Sequence, residues 1–472
     1  MNKCTTDPQH NQCKDLCKDL CKDLCEGLCN FIAASPTPYH TVCNLQKILS
    51  EQGYQKLSES EDWGELSSRP GKYLVTRGGT ALIAFTIPDG PNNNNHNYGI
   101  RIIGAHTDSP ALRLKTRPDI FNGGYWQLGV EVYGGPILSS WFDRDLSIAG
   151  MITLLDNQQR PTNVLVDLYQ LNKMLVQIPN VAIHLYREIN ENRTINKHKE
   201  LSAILGSGSN LGPLLETIKK LLLLPTPEVA PPKVAQEILG HDLRLYSIES
   251  PVIGGVNNDM LFAPRLDNLL SCYIGLTALI NASNAPYTSN NPNANSAYPS
   301  LLICYDHEEV GSGSEVGAHG PFLKSTLERV WGQRLYTLLA KSLLFSLDNA
   351  HALHPNYPEL YDPVHAPVLN QGPALKINAN QRYTTSGESG ALFNLWARMA
   401  GVPVQTFINR ADKTCGSTIG PITSALLGIS ALDVGIPSLA MHSIRECVGI
   451  RDIEGLVKIL TLFLNQEQVK IP

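Results

Sequence analysis

RLDNLLSCYIGLTALI, residues 265–280, and SLLICYDHEEVG, residues 300–311, set the architecture to expect of this chain. The first carries apolar residues at helical spacing. The second is an apolar run, Leu301–Tyr305, of the kind that forms a buried strand, and it stops abruptly at Asp306-His307-Glu308-Glu309. The same alternation continues downstream through Ser389–Ala400, Val404–Asn409, Pro421–Leu432 and Ile453–Leu464. Helices alternating with short apolar strands predict a layered α/β domain around a largely parallel sheet. Upstream, two apolar runs between Tyr73 and Ile87 flank Gly78-Gly79 as in a hairpin, and GIRIIGA, residues 99–105, reads as a buried strand ending at His106.

Between these parts the pattern changes. From about Pro110 to Pro251 there are strand-like pieces at Asn163–Tyr169 and Val181–Arg187, a Leu-rich helical segment at Leu214–Leu224, and a Pro-rich linker at Leu224–Lys233. One domain thus spans residues 1–109 and 256–472, with a second, residues 110–255, inserted into it. Two Asn-rich stretches, Pro91–Asn97 and Asn281–Pro299, read as surface loops.

With 472 residues, 43% of them apolar, the chain is long enough for two or three structural units and able to bury a large core. A formal net charge of −5, without a basic run, speaks against nucleic-acid and membrane-surface partners. No apolar run approaches the ~18 residues that cross a bilayer, and the N-terminus has no secretory pattern, so a cytoplasmic location is expected. Seven of the eleven cysteines lie in the first 43 residues. They belong mostly to a tetrad repeat, CKDL three times and then CEGL over residues 13–28, which predicts an amphipathic helix rather than a disulfide framework.

The chain has no nucleophile elbow, phosphate-binding loop, dinucleotide fingerprint or HExxH helix. It does place His and carboxylate residues at the ends of apolar runs. His106 is followed by Asp108, the spacing for an imidazole oriented by a carboxylate, although a lone H-x-D is often incidental. Asp267 stands at a helix start, where an N-cap is the simplest role. Glu308 and Glu309 follow a strand; a solvated acidic turn would look the same, but adjacent side chains diverge, so one can ligate while the other faces a metal-bound water. Asp348 and His351 follow the run ending at Leu347, and His442 follows Leu439-Ala440-Met441. Open α/β sheets gather ligands at the carboxyl ends of their strands, so these residues can converge across 336 positions. Two imidazoles and several carboxylates suit a pair of borderline divalent ions, which would bring the pKa of a shared water to ~7.

GAHTDSPALRLK (104–115), GVEVYGGPILSSWFDRDLSIAG (129–150), IPNVAIHLYREINEN (178–192), RLDN (265–268), DHEEVGS (306–312), DNAHALHPNYPE (348–359) and AMHSIRE (440–446) together resemble the aspartyl aminopeptidase family of dinuclear zinc exopeptidases, in its bacterial branch. The resemblance runs from about Cys29 to the C-terminus. It implies a three-layer α/β/α catalytic domain with a mixed, mostly parallel sheet, interrupted by a β-rich, PDZ-like domain that serves assembly and substrate access. It implies two Zn²⁺ per subunit, with Co²⁺ or Mn²⁺ compatible with the same donors: His106, Asp267 and Asp348 on one ion, Glu309, Asp267 and His442 on the other, Asp267 bridging. Glu308 would be the general base and acid, and Asp108 would orient His106. It further implies removal of N-terminal Asp or Glu from short peptides, Lys376 and Tyr383 lining the acidic side-chain pocket, and His351 contacting substrate. The assembly implied is a tetrahedral homododecamer, in which His184 reaches a neighbouring active site. On composition alone Lys376 is a surface lysine and His184 a strand histidine. A dinuclear carboxypeptidase or deacylase, and a catalytically silent assembly protein, are the alternatives.

Overall fold

A computed structural model describes residues 22–88, 99–156, 158–208, 212–222, 237–284 and 298–465. The Pro-rich linker at Leu224–Lys233, the Asn-rich stretch Pro91–Asn97, most of Asn281–Pro299 and the first two CKDL units lie outside these residues.

The apolar runs assemble a nine-stranded sheet. In spatial order its strands are Gln55–Lys56, Gly71–Arg77, Ala81–Ile87, Ser300–Tyr305, Arg101–His106, Leu343–Leu347, Ser430–Gly435, Ala374–Ile377 and Gln405–Ile408. Five of the eight pairings are parallel, including the four strands at the centre. The hairpin across Gly78-Gly79 forms as the sequence predicts, with both glycines at positive φ. Successive side chains alternate between two cores. Leu74, Leu82, Ala84, Ile103, Ala105, Leu302 and Cys304 face the helices 22–33, Pro38–Glu51, Leu266–Asn284, Gly387–Ala400 and Ile450–Asn465. Val75, Ile83, Phe85, Ile102, Leu301 and Ile303 face Phe322–Trp331, Leu335–Leu339 and Ile419–Leu427. Fully buried strands with helices on both faces are what a largely parallel sheet requires.

The last tetrad of the repeat is part of this structure. In the helix 22–33, Cys25 and Leu28 are completely buried in the first core. Gly27 stands where the other units carry Asp because Tyr273 packs against it: a Cβ there would lie 2.2 Å from Tyr273 Oη.

A second sheet of six antiparallel strands spans Ala111–Asn122 to Ile238–Ser247, with its own core roofed by Leu214–Leu222. Two local expectations are revised here. Val181–Arg187 forms no strand; it is an exposed turn followed by a short 3₁₀ segment, Arg187–Asn190, with too few inward-facing partners to pair. Asn163–Tyr169 divides, because Asp167 ends the strand Pro161–Asp167 and its side chain caps the helix Leu168–Asn172.

A third, five-stranded sheet has no counterpart in the sequence reading. Val252–Gly254, Met260–Ala263, Glu446–Gly449, Pro437–Leu439 and Ala350–His351 pair across nearly 200 residues of chain. Its strands lead into Asp267 and His442 and follow directly on Asp348.

Candidate active site

Four of the candidate side chains, His106, Glu308, Glu309 and Asp348, stand at the carboxyl ends of neighbouring strands of the large sheet. Tyr305 pairs with His106 in register, so Glu308 and Glu309 emerge beside the imidazole, and Leu347 ends one strand further, leaving Asp348 on its other side. Asp267 enters from the small sheet, at the start of the helix Leu266–Asn284. The Asp267–Asn268 peptide is cis, and Asn268 Nδ2 donates to the carbonyl of Leu347 at 2.8 Å.

His106 Nε2 stands 3.5 Å from Asp267 Oδ1, 3.7 Å from Asp348 Oδ1 and 3.9 Å from Glu308 Oε2. His442 Nε2 stands 3.5 Å from Asp267 Oδ2 and 3.5 Å from Glu309 Oε2. The two oxygens of Asp267 thus serve different imidazoles. These separations are long for hydrogen bonds, but donors ~2.1 Å from a tetrahedral ion stand ~3.4 Å apart. His106 Nε2, Asp267 Oδ1 and Glu309 Oε1 are all buried without a hydrogen-bond partner, and donors of His106, Asp267 and Glu309 lie within 4.8 Å of one another. Buried polar atoms left unpaired at this density call for a cation, and His/carboxylate donors fit zinc.

Electrostatics point the same way. Burial, with Asp348, Asp267 and Asp108 nearby, pushes the Glu308 carboxyl up to about 8, His106 opposing the shift. Glu309 is driven well up by burial and Asp267. Against burial, Asp108, Asp267 and Asp348 hold the His106 imidazole well above its usual range, and Asp267 and Glu309 raise His442 to about 10. Asp267 is held low by both imidazoles against its own burial, so it stays ionised.

Asp108 is the hub beneath these groups and is fully buried. Its Oδ1 lies 3.2 Å from His106 Nδ1 and accepts the Glu308 amide at 3.1 Å; its Oδ2 accepts the Glu309 amide at 3.1 Å and the Tyr133 hydroxyl at 2.7 Å. Holding Nδ1 in this way leaves Nε2 free to ligate.

Two residues went unrecognised in the sequence as parts of the site. Glu446, 2% exposed, accepts the amides of Asp267 (3.0 Å) and His442 (2.8 Å), tying both loops to the small sheet. Tyr133 reaches Asp108 from the six-stranded sheet. Both stand inside the quoted family motifs, but their roles run through backbone amides and a second carboxylate, which spacing does not display.

Lys376 is no surface lysine. It is 2% exposed, and its Nζ donates to Asp348 Oδ2 (3.0 Å) and to the carbonyls of Asn349 (3.0 Å) and Asp348 (3.3 Å), while lying 4.7 Å from the Tyr383 ring centroid. The cation therefore stands against a candidate metal ligand. His351 packs edge-on to Phe407 and, with His354, Tyr361, Leu439 and Met441, lines a cavity of about 180 Å³ that opens beside His442. His184 is exposed on its turn, neither in a strand nor bonded to the cluster.

Comparison with known proteins shows the family of the chain as a whole. The family model described as aminopeptidase I zinc metalloprotease (M18) matches residues 31–464. The probable M18 family aminopeptidase 2 of Ectopseudomonas mendocina is 43% identical over 449 residues, covering 93% of this chain and 97% of that protein. Among solved structures, Ape4 in its complex with Nbr1 is 36% identical with a TM-score of 0.84, over 94% of this chain and 86% of that one. The S. cerevisiae mApe1 dodecamer is 28% identical with a TM-score of 0.76, over 93% and 96%. With its strand-end His and carboxylate cluster and a family match over nearly its whole length, the chain belongs to the M18 family of zinc aminopeptidases.

Proposed function

We propose that this zinc aminopeptidase removes N-terminal Asp and Glu from short peptides at a site holding two zinc ions. His106, Asp267 and Asp348 would hold one ion; Glu309, Asp267 and His442 would hold the other. The observation carrying this reading is Asp267, whose two oxygens stand 3.5 Å from two different imidazoles, the arrangement a bridging carboxylate needs. Zinc bound there supplies a Lewis acid for the scissile carbonyl and an acidified water. The chain's own groups do the rest. Glu308, pinned by its amide to Asp108 and poised about 4 Å from His106, accepts the water proton and returns it to the leaving amine. Lys376 supplies positive charge toward an acidic first side chain, with Tyr383 as its wall and His351 at the mouth of the adjoining cavity. Occupation of the pocket by a substrate carboxylate would draw Lys376 partly away from Asp348.

We further propose a homododecamer, supported by the mApe1 assembly and by the apolar exposed turn carrying Val181, Ile183 and Leu185, with His184 directed to a neighbouring copy. On this reading residues 110–255 serve assembly. A cytoplasmic location is part of the same proposal; no described helix is long and apolar enough to cross a membrane. A carboxypeptidase or deacylase role loses its support with the family assignment.

A panel of aminoacyl arylamides, assayed after chelation and zinc add-back with zinc counted per chain, tests the proposal. Two zinc ions and a marked preference for Asp and Glu are expected. One ion per chain, or equal turnover of Leu and Asp substrates, would overturn it.

A further inference from the structure

The six-stranded sheet makes one excursion into the catalytic centre. At the end of the strand Tyr125–Tyr133, three consecutive residues touch three different site groups. The Tyr133 hydroxyl donates to Asp108 Oδ2 at 2.7 Å. Gly134, at φ +68°, passes so close to Glu309 that a Cβ would lie 3.1 Å from that side chain's own Cβ. The Gly135 carbonyl is 3.1 Å from His442 Nδ1, so with Nε2 left for a metal the ring N–H donates to it. Two residues on, the Ile137 amide donates to the His442 carbonyl at 2.9 Å. The Arg244 guanidinium, 4% exposed and on the neighbouring part of the same sheet, stacks 4.3 Å over the Tyr133 ring and holds it in place.

We propose that the Tyr133-Gly134-Gly135 turn is the positioning element of the metal centre. From the six-stranded sheet it sets Asp108, and through it His106, on one side and Glu309 and His442 on the other. The inference rests on the zinc site proposed above. It means that the sheet between residues 111 and 247 is a structural component of the catalytic centre as well as a separate layer of the fold. Whatever displaces the sheet loosens both halves of the centre together. The close approach at Gly134 and the carbonyl at Gly135 fit the two glycines that follow the tyrosine: the first has a left-handed φ and a tight contact that a Cβ would press against Glu309, and the second brings its backbone up to an imidazole.

The test uses the full chain and three variants, with zinc affinity read by competition against a chromophoric chelator and kcat and KM read on Asp-arylamide. Tyr133→Phe keeps the ring and the Arg244 stack but removes the hydroxyl. Loss of a group that orients a ligand weakens metal binding by ~10–100-fold, so zinc affinity and kcat are expected to fall by that order with KM unchanged. Tyr39→Phe is the control, because its hydroxyl joins the same interface through Asp242 Oδ2 (3.3 Å) without touching Asp108. It should leave zinc affinity and kcat as they are. Gly134→Ala should weaken zinc binding through Glu309, giving a second readout if the first variant is poorly folded. Wild-type zinc affinity and kcat in Tyr133→Phe, or equal losses in Tyr39→Phe, would overturn the positioning role. His106→Ala separates the two ideas: if it retains both zinc ions, the metal-site reading fails; if it loses zinc while Tyr133→Phe does not, only the positioning role fails.

Discussion

Glu308→Gln is the substitution with the most to say about this site. Gln keeps the shape of the side chain and the backbone amide that donates to Asp108 at 3.1 Å, so the loop and its neighbour Glu309 stay where they are. What disappears is a proton acceptor 3.9 Å from His106 Nε2. General acid–base catalysis is worth ~10²–10⁴ in rate, or ~3–5 kcal/mol of barrier. The expectation is a loss of that size in kcat on Asp-arylamide, with zinc content and KM unchanged. The same variant has a stability signature in the metal-free protein. In the folded chain the Glu308 carboxyl titrates at about 8 instead of its ordinary 4.5, pushed up mainly by burial. Between these values the unfolded chain binds fewer protons, so this group makes wild-type stability fall as pH rises from about 4.5 to 8, by ~5 kcal/mol at most. Denaturant unfolding of the metal-free protein at pH 5 and pH 8 should therefore show a smaller decline for Glu308→Gln than for the wild type. Activity above a tenth of wild type would remove Glu308 from the proton transfer, and loss of zinc would make it a ligand instead.

Other outcomes follow from particular contacts. Lys376→Met should lower kcat/KM for Asp-arylamide by ~10-fold or more beyond its effect on Leu-arylamide, the scale of a hydrogen bond to a charged group; equal losses on both would mean that Lys376 acts only through Asp348. His40, half-buried near Arg265, titrates at about 4, held low first by loss of solvation and then by that guanidinium. Its folded value lies below the unfolded ~6.5, so stability rises with pH across that window, by ~3 kcal/mol. In His40→Gln the rise should be smaller in denaturant melts between pH 4 and 6.5. Leu28→Ala should cost about 2–5 kcal/mol of stability, since Leu28 is fully buried in the main core. Deletion of residues 2–21 should leave zinc content and kcat at wild-type values, and loss of zinc on that deletion would give the repeat a part in the site.

Much of this site is legible in the sequence because of one regularity. A ligand placed just past a buried parallel strand needs only the strand to be recognised, and GIRIIGA and SLLICY are unmistakable apolar runs. The structure gathers His106, Glu308, Glu309 and Asp348 for that reason. Asp267 and His442 are recognisable as residue types, but their placement depends on strands of three or four residues, such as Met260–Ala263 and Pro437–Leu439, whose pairing is decided by the tertiary fold. Such segments are too short to show a period. Glu446 is invisible for a related reason: an acid whose partners are two backbone amides leaves no second side chain to match. Lys376 reads as solvated because composition cannot report that Asp348 awaits it behind the strand. Val181–Arg187 has strand-like residues, but its apolar side chains face outward, so alternation alone misleads.

The distance along the chain between His106 and His442 has a consequence for how the enzyme comes into being. At roughly 5–20 residues per second, the ribosome adds His442 roughly 20–70 s after His106. Until then the growing chain carries the first imidazole and its carboxylates without the second imidazole, and without Glu446, which holds the amides of Asp267 and His442. A prematurely terminated product is left with half a centre. On the proposed ligand set, proteolytic capacity therefore waits until translation is nearly complete.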